Sequence, residues 1–579
     1  MAYFLGLFGY GPNPSAALVR DGALVAFAEE ERFNRIKTAP NSLPLGALLY
    51  CLKQAGIGID DVEAIGFGWD CERYVETMPR FYEEFRAKYP SADNGYNALQ
   101  EDYLLNLYHP TRIRTDLVQA LALRGVHLAP ERIGFLPHHL CHAASTYYCS
   151  GFAEASVLTL DGSGEEFSTF LWHGRGDRLK ELRSVRLPHS LGGFYATFTE
   201  FLGFKAYQDE GKLMGLAPYG RHSEALQKKL DEVLPWDHAA GEFQTNPYMR
   251  YLGPRTHGRR FTDAFVELFG RPRLAHQPIE DRHRDLAFNV KWRLEQIGAA
   301  LVRTVVGLTG SRNLCLAGGV AMNCCMNGKL SSLPEVERIF VQPASADNGI
   351  ALGAAYALAQ RAGVSAFEPF AHAYWGPEFS DAHVEAAIRE SKLPYEHCRD
   401  TIAEAARLLA EGKILGWFQG RMEIGARALG NRSILANPSD HRVVGLINRM
   451  IKNRDFWMPF APTVLAERAS DYLVNPKGFA SPYMMLAMPT RPETRDGIAA
   501  AIHPQDGTAR PQILERDWNP EYHAVIREFE RRTGVGAVLN TSFNLHGEPI
   551  VRSAEDAVDT FERSGLPHLA VGRWLISKK

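Results

Sequence analysis

Residues 156–186, SVLTLDGSGEEFSTFLWHGRGDRLKELRSVR, decide the fold. Residues 157–160 form an apolar run of strand length, and Asp161-Gly162-Ser163-Gly164 is a polar glycine loop. Residues 167–172 and 179–186 then flank a turn at 174–177. The same succession opens the chain. Tyr3–Phe8 is apolar, a Gly/Pro/Asn loop runs through Pro14, and residues 16–19 and 23–28 flank Asp21-Gly22, a strong hairpin signal. The two copies lie roughly 155 residues apart, far beyond the ~20–50 residues of a solenoid repeat, and so predict two related halves of one domain.

Working outward, residues 285–308 read as a helix with Ala287, Val290, Leu294, Ile297 and Leu301 on one face. A short strand at 313–316 ends in Gly318-Gly319, and 350–360 is an Ala-rich helix. Pro369 and the turn Tyr374-Trp375-Gly376-Pro377 mark a linker, placing the domain boundary near 362–378. Beyond it come helices at 381–389 and 402–411, a strand at 413–418 and a helix at 443–451. A strand at 537–540 and a helix at 554–561 close the pattern. The expectation is two α/β domains, 1–365 and 375–579, which account for 579 residues better than the three or four units length alone suggests.

Composition narrows the function classes. With 45% hydrophobic and 23% charged residues, the chain is neither disordered nor fibrous. Lys+Arg total 64 against Asp+Glu 67, so no global basic excess holds it on nucleic acid or an anionic membrane. The eight cysteines form no CxxC pair, which argues against a disulfide framework or a zinc-thiolate site and for a reducing compartment. The N-terminus lacks a signal-peptide pattern, and no run reaches the ~18 apolar residues of a membrane span. A cytoplasmic enzyme is expected.

Three groups of residues can carry chemistry. In Pro137-His138-His139-Leu140-Cys141-His142 the spacing puts His138 and His142 on one helix face, where both imidazoles reach one metal ion. Asp161 ends an apolar strand, and Asp347 begins a small-residue helix. Two histidines plus carboxylates with open positions suit Fe(II), Mn(II) or Zn(II). The glycine segments Gly162-Ser163-Gly164 and Gly318-Gly319, with Asn323, follow strands and offer backbone amides to a phosphate or close packing to adenosine. Neither is a Walker A loop or a dinucleotide fingerprint. From Arg421 to Arg454, seven basic residues (Arg421, Arg427, Arg432, Arg442, Arg449, Lys452, Arg454) face two acidic ones, +5 in a chain of −3. Interleaved Gly420, Gly425 and Gly430 suit a close-fitting anion pocket. The loops at 506–510 and 540–544 add Arg510, Asn540 and Ser542.

Together these segments resemble the NodU/CmcH-type carbamoyltransferases. The matching stretches are AALVRDGALVAFAEEERFNRIK (16–37), HHLCHAAS, LTLDGSGE, DEGKLMGLAPYG (209–220), LAGGVAMN and ASADNGIALGAA. They continue through GWFQGRMEIGARALGNRSIL, MPFAPTVL, HPQDGTAR and LNTSFNLHGEPIV. The resemblance implies an N-terminal domain of the actin/sugar-kinase/Hsp70 type, ASKHA-like and related to the tRNA threonylcarbamoyl transferases, and a YrdC-like C-terminal domain. It implies carbamoyl-adenylate made from carbamoyl phosphate and ATP, then metal-assisted transfer to an acceptor hydroxyl. Residue by residue, His138, His142, Asp161 and Asp347 stand where the family holds iron or a similar divalent metal. Lys452, Arg510 and Ser542, with the Arg427/Arg432 loop, stand at its carbamoyl-adenylate pocket. From the residues themselves, Gly162, Ser163, Gly164, Gly318, Gly319, Asn323, Asn348, Arg421 and Asn540 are further candidates for binding the nucleotide and its phosphates. Mg2+ beside the nucleotide and a homodimer complete the expectations; neither nucleic acid nor membrane is an expected partner.

Two departures stand out. Family members carry His-Asp in the N-terminal loop, where the histidine looks like the acceptor base; here the loop reads Gly11-Pro12-Asn13-Pro14-Ser15. The arginine before PFAP is replaced by Met458. The alternatives are transfer to an amine, a thiol or tRNA, or a nucleotide-binding protein with altered chemistry. The acceptor pocket is expected near the inter-domain cleft and the loops at 207–208 and 254–260.

Overall fold

Two five-stranded sheets share one strand order. In the first, Tyr3–Phe8 lies at the centre, with the hairpin strands Ser15–Arg20 and Ala23–Glu29 on one side and Val62–Phe67 and Ile133–Phe135 on the other. In the second, Glu154–Gly164 takes the centre, Phe167–Arg175 and Arg178–Arg186 the hairpin side, and Asn313–Ala317 and Arg338–Val341 the far side. Each central strand pairs antiparallel with its hairpin and parallel with its far neighbour. Parallel neighbours need crossovers, which the helices Leu45–Ala55 and Asp281–Thr309 help to supply. The strand-loop-hairpin repeat in the sequence is therefore a duplicated sheet. Asp21 and Gly22 both adopt positive φ, the geometry of a tight two-residue hairpin.

This computed structural model describes residues 1–90, 97–245, 248–250 and 259–578. Two compact units divide the chain: Met1–Val25 with Asn41–Pro369, and Ala26–Pro40 with Phe370–Lys579. The expected division at 362–378 needs one correction, since residues 26–40 pack in the second unit. Arg32 explains why. Its buried guanidinium donates to the Gly425 carbonyl at 2.9 Å, across 393 residues of sequence. Arg35 donates to the Ile550 carbonyl at 2.7 Å, and Arg552 stacks on Phe33 with its guanidinium 4.9 Å from the ring centre.

In the first unit the helix Ile350–Arg361 packs against the central strand Tyr3–Phe8 and the helix His138–Tyr147. Two glycines permit the approach: a Cβ on Gly6 would lie 1.8 Å from the Ala351 carbonyl oxygen, and one on Gly353 1.7 Å from that of Cys141. Its small side chains are buried on nearly every face, so it shows composition without amphipathic period. The stretch 161–164, expected as a loop, instead continues the strand Glu154–Gly164 with its register broken between Leu160 and Gly164.

The second unit is built on an eight-stranded mixed sheet. Its order is Tyr395–His397, Trp574–Ser577, His568–Val571, Leu415–Phe418, Arg432–Ala436, Ala537–Ser542, Ala461–Leu465 and Gln512–Leu514. Asp381–Ser391 and Ala554–Arg563 contribute to one core cluster; Thr401–Ala410 and Pro520–Thr533 contribute to another. Among the described residues no helix is long and apolar enough to cross a membrane.

Candidate functional site

His138 and His142 sit one turn apart on the helix His138–Tyr147, and both are fully buried. Nε2 of His138 lies 3.1 Å from Oδ2 of Asp161, and Nε2 of His142 lies 3.0 Å from the same oxygen. Oδ1 of Asp347 stands 3.8 Å from His138 and 4.0 Å from His142. All four ligand atoms fall within 4.8 Å of one another. Two ligands at right angles, each ~2.1 Å from an ion, are about 3.0 Å apart, and two opposite ones about 4.2 Å. The donor set fits one divalent transition metal.

The main chain aims Asp161. Its Oδ1 accepts the N–H of Gly162 at 2.7 Å and that of Gly319 at 3.1 Å, which leaves Oδ2 to the histidines. The Ser190 hydroxyl donates to the Gly162 carbonyl at 2.7 Å and fixes the strand behind it. Burial opposes ionisation of Asp161, but hydrogen bonds from His138 and His142 hold its carboxyl well below the usual range. Burial lowers the pKa of His138, favouring the neutral imidazole a metal binds.

Glu165 braces this centre. Its carboxylate accepts the N–H of Asp70 at 2.8 Å and of His138 at 3.1 Å, at the start of the ligand helix. Burial pushes its pKa up to about 8. Around it, Gly318 donates its N–H to the Ser345 carbonyl at 2.7 Å, and Asn323 caps the helix Cys324–Ser332 by accepting the Met326 N–H at 3.0 Å. The Asn348 carbonyl accepts the Ser15 hydroxyl at 2.7 Å, while Ser163 is exposed.

In the second unit Lys452 is 2% exposed. Its ammonium donates to three neutral oxygens: Ser542 Oγ at 3.1 Å, the Asn544 carbonyl at 3.1 Å and Asn544 Oδ1 at 2.8 Å. Burial, with the charges of Arg454 and Lys37 adding, pushes its pKa well below the lysine range. Arg454 donates to Thr541 Oγ1 at 3.2 Å. Burial and the charge of Arg510 bring it down to about 10. Lys37 also feels Arg427. Lys452 is the buried member of this group: Lys37 is exposed and lies 3.8 Å from Glu31, and Arg454 and Arg510 are half-buried. A buried cation with further cations near it suits an anion.

The neighbouring loop is held from both ends. Glu29 accepts the Gly425 N–H at 2.8 Å while Arg32 donates to the Gly425 carbonyl. The Glu423 carboxylate accepts the N–H groups of Leu429 at 2.6 Å and Arg432 at 3.2 Å. The +5 stretch is not a single pocket, however. Arg432, expected to face a phosphate, is fully buried and donates to the carbonyls of Gln419 at 2.6 Å, Asn431 at 2.9 Å, Gly420 at 3.1 Å and Pro377 at 3.2 Å. Its fork is consumed by main chain that would otherwise be left buried and unpaired. Arg421 donates to the Trp375 carbonyl at 2.8 Å, Arg442 pairs with Asp440 at 2.8 Å on the surface, and Arg449 is exposed. Asn540 spends its amide on Ala428 O and Thr463 Oγ1, both at 3.1 Å.

Two family models match these two regions: Carbamoyltransferase N-terminus over residues 4–356 and Carbamoyltransferase C-terminus over 406–578. The chain belongs to the carbamoyltransferase family. Among its relatives is Nodulation protein NolNO of Sinorhizobium fredii, 38% identical over 98% of this chain and 79% of the relative. An uncharacterized protein of Synechocystis sp. is 36% identical over 100% of this chain and 97% of its own length. Component A of the (R)-2-hydroxyglutaryl-CoA dehydratase of Acidaminococcus fermentans covers 62% of this chain and 99% of its own, at 14% identity and a TM-score of 0.31.

In this carbamoyltransferase-family chain the four residues read as metal ligands lie together, and Lys452 lies against Ser542. The charge of Arg510 acts on Arg454 and that of Arg427 on Lys37. Sequence reasoning did not single out Lys37, Arg454, Asn544 or Glu165. Arg454 was counted only as one cation of seven, and Asn544 as part of a polar loop. Glu165, directly after the Asp161-Gly162-Ser163-Gly164 motif, was the most accessible signal. The loop 11–15 holds no histidine; Asn13 adopts φ +59, and the Tyr10 hydroxyl beside it donates to Asp116 at 2.5 Å. Nothing in the structure explains Met458. Of the loops expected to line the acceptor pocket, residues 254–258 lie outside the described residues.

Proposed function

We propose that this chain is an ATP-dependent O-carbamoyltransferase. Water splits carbamoyl phosphate to carbamate and phosphate, the carbamate displaces pyrophosphate from ATP to give carbamoyl-adenylate, and the carbamoyl group then passes to a hydroxyl of a small, sugar-like acceptor with release of AMP and a proton. The observation that carries this reading is the buried ammonium of Lys452, surrounded by neutral oxygens and repelled by Lys37 and Arg454. An anionic adenylate would relieve that repulsion. In this reading the second unit is the YrdC-like adenylate-forming domain and the first the ASKHA-like transfer domain; the duplicated 3-2-1-4-5 sheets support the latter.

Roles follow from position. Lys452 and Ser542 hold the carbamoyl end, and Arg454, Arg510 and Arg427 offset phosphate charge. Gly162, Gly318 and Gly319 shape the ligand set and do not cradle a phosphate, since their amides are spent on Asp161 and on the Ser345 carbonyl. His138, His142, Asp161 and Asp347 would hold a divalent metal, Fe(II) among the candidates, which when bound polarises a carbonyl and stabilises developing negative charge. Asp161 keeps its ligand oxygen aimed because Gly162 and Gly319 occupy the other.

The test is incubation of the purified chain with ATP and carbamoyl phosphate, following pyrophosphate. Release supports the reading; no release, with or without a panel of polyhydroxyl acceptors, ends it.

A further inference from the structure

Tyr207 combines three properties that seldom occur together. Its side chain is 47% exposed although it is a large aromatic. Its backbone sits at φ +60, where a bulky residue is rare and persists only if its surroundings force it. Its ring stands beside the metal-ligand strand, because a Cβ on Gly162 would lie 3.0 Å from Tyr207 Cε1 and 3.6 Å from its hydroxyl oxygen. Gly162 is the residue after Asp161 and bonds its carboxylate.

The surroundings hold this arrangement in place. The Tyr207 N–H donates to the Glu210 carboxylate at 2.5 Å, and the Lys205 N–H to Asp209 at 3.0 Å, so the start of the helix Glu210–Leu216 ties the loop down. From the ring side, the Arg260 guanidinium lies 4.6 Å from the ring centre. Arg260 is itself only 8% exposed; its N–H donates to Glu200 at 3.0 Å and its Nε lies 3.6 Å from the same carboxylate. An exposed ring on the surface has no need of such support.

We propose that Tyr207 is a specificity-determining platform on which the sugar ring of the acceptor is laid beside the ligand set. Resting on the carbamoyl-transfer reading, this assignment names the acceptor class. The C–H face of a pyranose packs on an aromatic ring, while its hydroxyls need polar neighbours. Exposed Lys205 and Gln208 flank Tyr207 in sequence and supply them. A long apolar alcohol would not use that polar rim, and a small aliphatic alcohol would not use the ring.

The experiment measures binding of methyl glycosides (gluco, galacto, manno and N-acetylglucosaminyl) to the full chain by saturation-transfer NMR, with Kd by titration. Wild type is expected to bind at least one glycoside through the C–H face of its ring. Tyr207→Ala should weaken that binding about tenfold or more, and Tyr207→Phe should restore most of it. Where a glycoside is carbamoylated, KM for it should rise in Y207A far more than kcat falls. Metal content and circular dichroism of Y207A establish that the fold is kept. No glycoside bound by wild type, or equal binding by Y207A, overturns the assignment. Pyrophosphate release by wild type is measured alongside. Release with Tyr207-independent binding rejects this inference alone, and Tyr207-dependent binding without release rejects the adenylate reading alone.

Discussion

The imidazole of His138 fills the space that a side chain on Gly164 would need: a Cβ there would lie 2.4 Å from Cδ2 of the ring. The helix bearing His138 and His142 and the strand bearing Asp161 are therefore locked at one point by a missing methyl group. Gly164→Ala is expected to displace His138, with an overpacking cost of about 1–3 kcal/mol. Thermal unfolding and metal analysis of G164A check this. Wild-type stability and metal content together would show that the ring has room.

His138→Ala and Asp161→Asn each remove or weaken a ligand from a set of four. Both variants should purify with a small fraction of the wild-type transition-metal content, measured by inductively coupled plasma mass spectrometry. Because the adenylate chemistry is assigned to Lys452 and its neighbours, pyrophosphate release should persist in H138A while transfer to an acceptor is lost.

Lys452 makes stability depend on pH in a definite direction. Its folded pKa lies well below the unfolded value of ~10.4, so between the two the unfolded chain binds more protons. The penalty for burying the ammonium is fully present below the folded pKa and fades as pH rises toward 10.4. Wild type should therefore gain stability relative to Lys452→Met through that window, by up to about 1.4 kcal/mol per pH unit. Urea unfolding of the two proteins at a series of alkaline pH values reads this difference directly. Parallel curves would mean that Lys452 is ordinarily charged. The same variant should lose pyrophosphate release.

Arg32→Ala removes a buried cation from between Glu29, Glu31 and the Gly425 carbonyl. Breaking such a set by deleting one partner costs about 3–5 kcal/mol. The variant should unfold in its second unit at lower denaturant and release less pyrophosphate, with a metal content equal to that of wild type. Loss of metal in step with activity would argue that residue 32 acts more widely.

Much of this was legible in the sequence because it is local. The strand at 157–160, the hairpin turn at Asp21-Gly22 and the helical pairing of His138 with His142 each follow from residues a few positions apart. The stretch 161–164 was misread as a loop because glycines signal turns, whereas here they serve a bulged strand under His138. The basic stretch 421–454 was misread as one pocket because charge along the chain does not say where a guanidinium points. Arg432 lies inside, spent on carbonyls, and Arg442 lies outside, paired to Asp440. Lys37 could not be placed beside Lys452 by any local rule, since the chain between them must fold first.

Assembling the second unit from both ends of the chain has a cost in time. The second unit takes residues 26–40 from near the start of the chain and the rest from 370 onward. A ribosome adding about 5–20 residues per second finishes the C-terminal strands on the order of half a minute to two minutes after residue 40 emerges. Until then the carboxylates and guanidinium of Glu29, Glu31 and Arg32 have no Gly425 to enclose. The first unit can complete its core during synthesis, but the second unit matures only after release. A fragment beginning at residue 370 should remain unfinished however long it is given, unless a peptide spanning 26–40 is supplied to it.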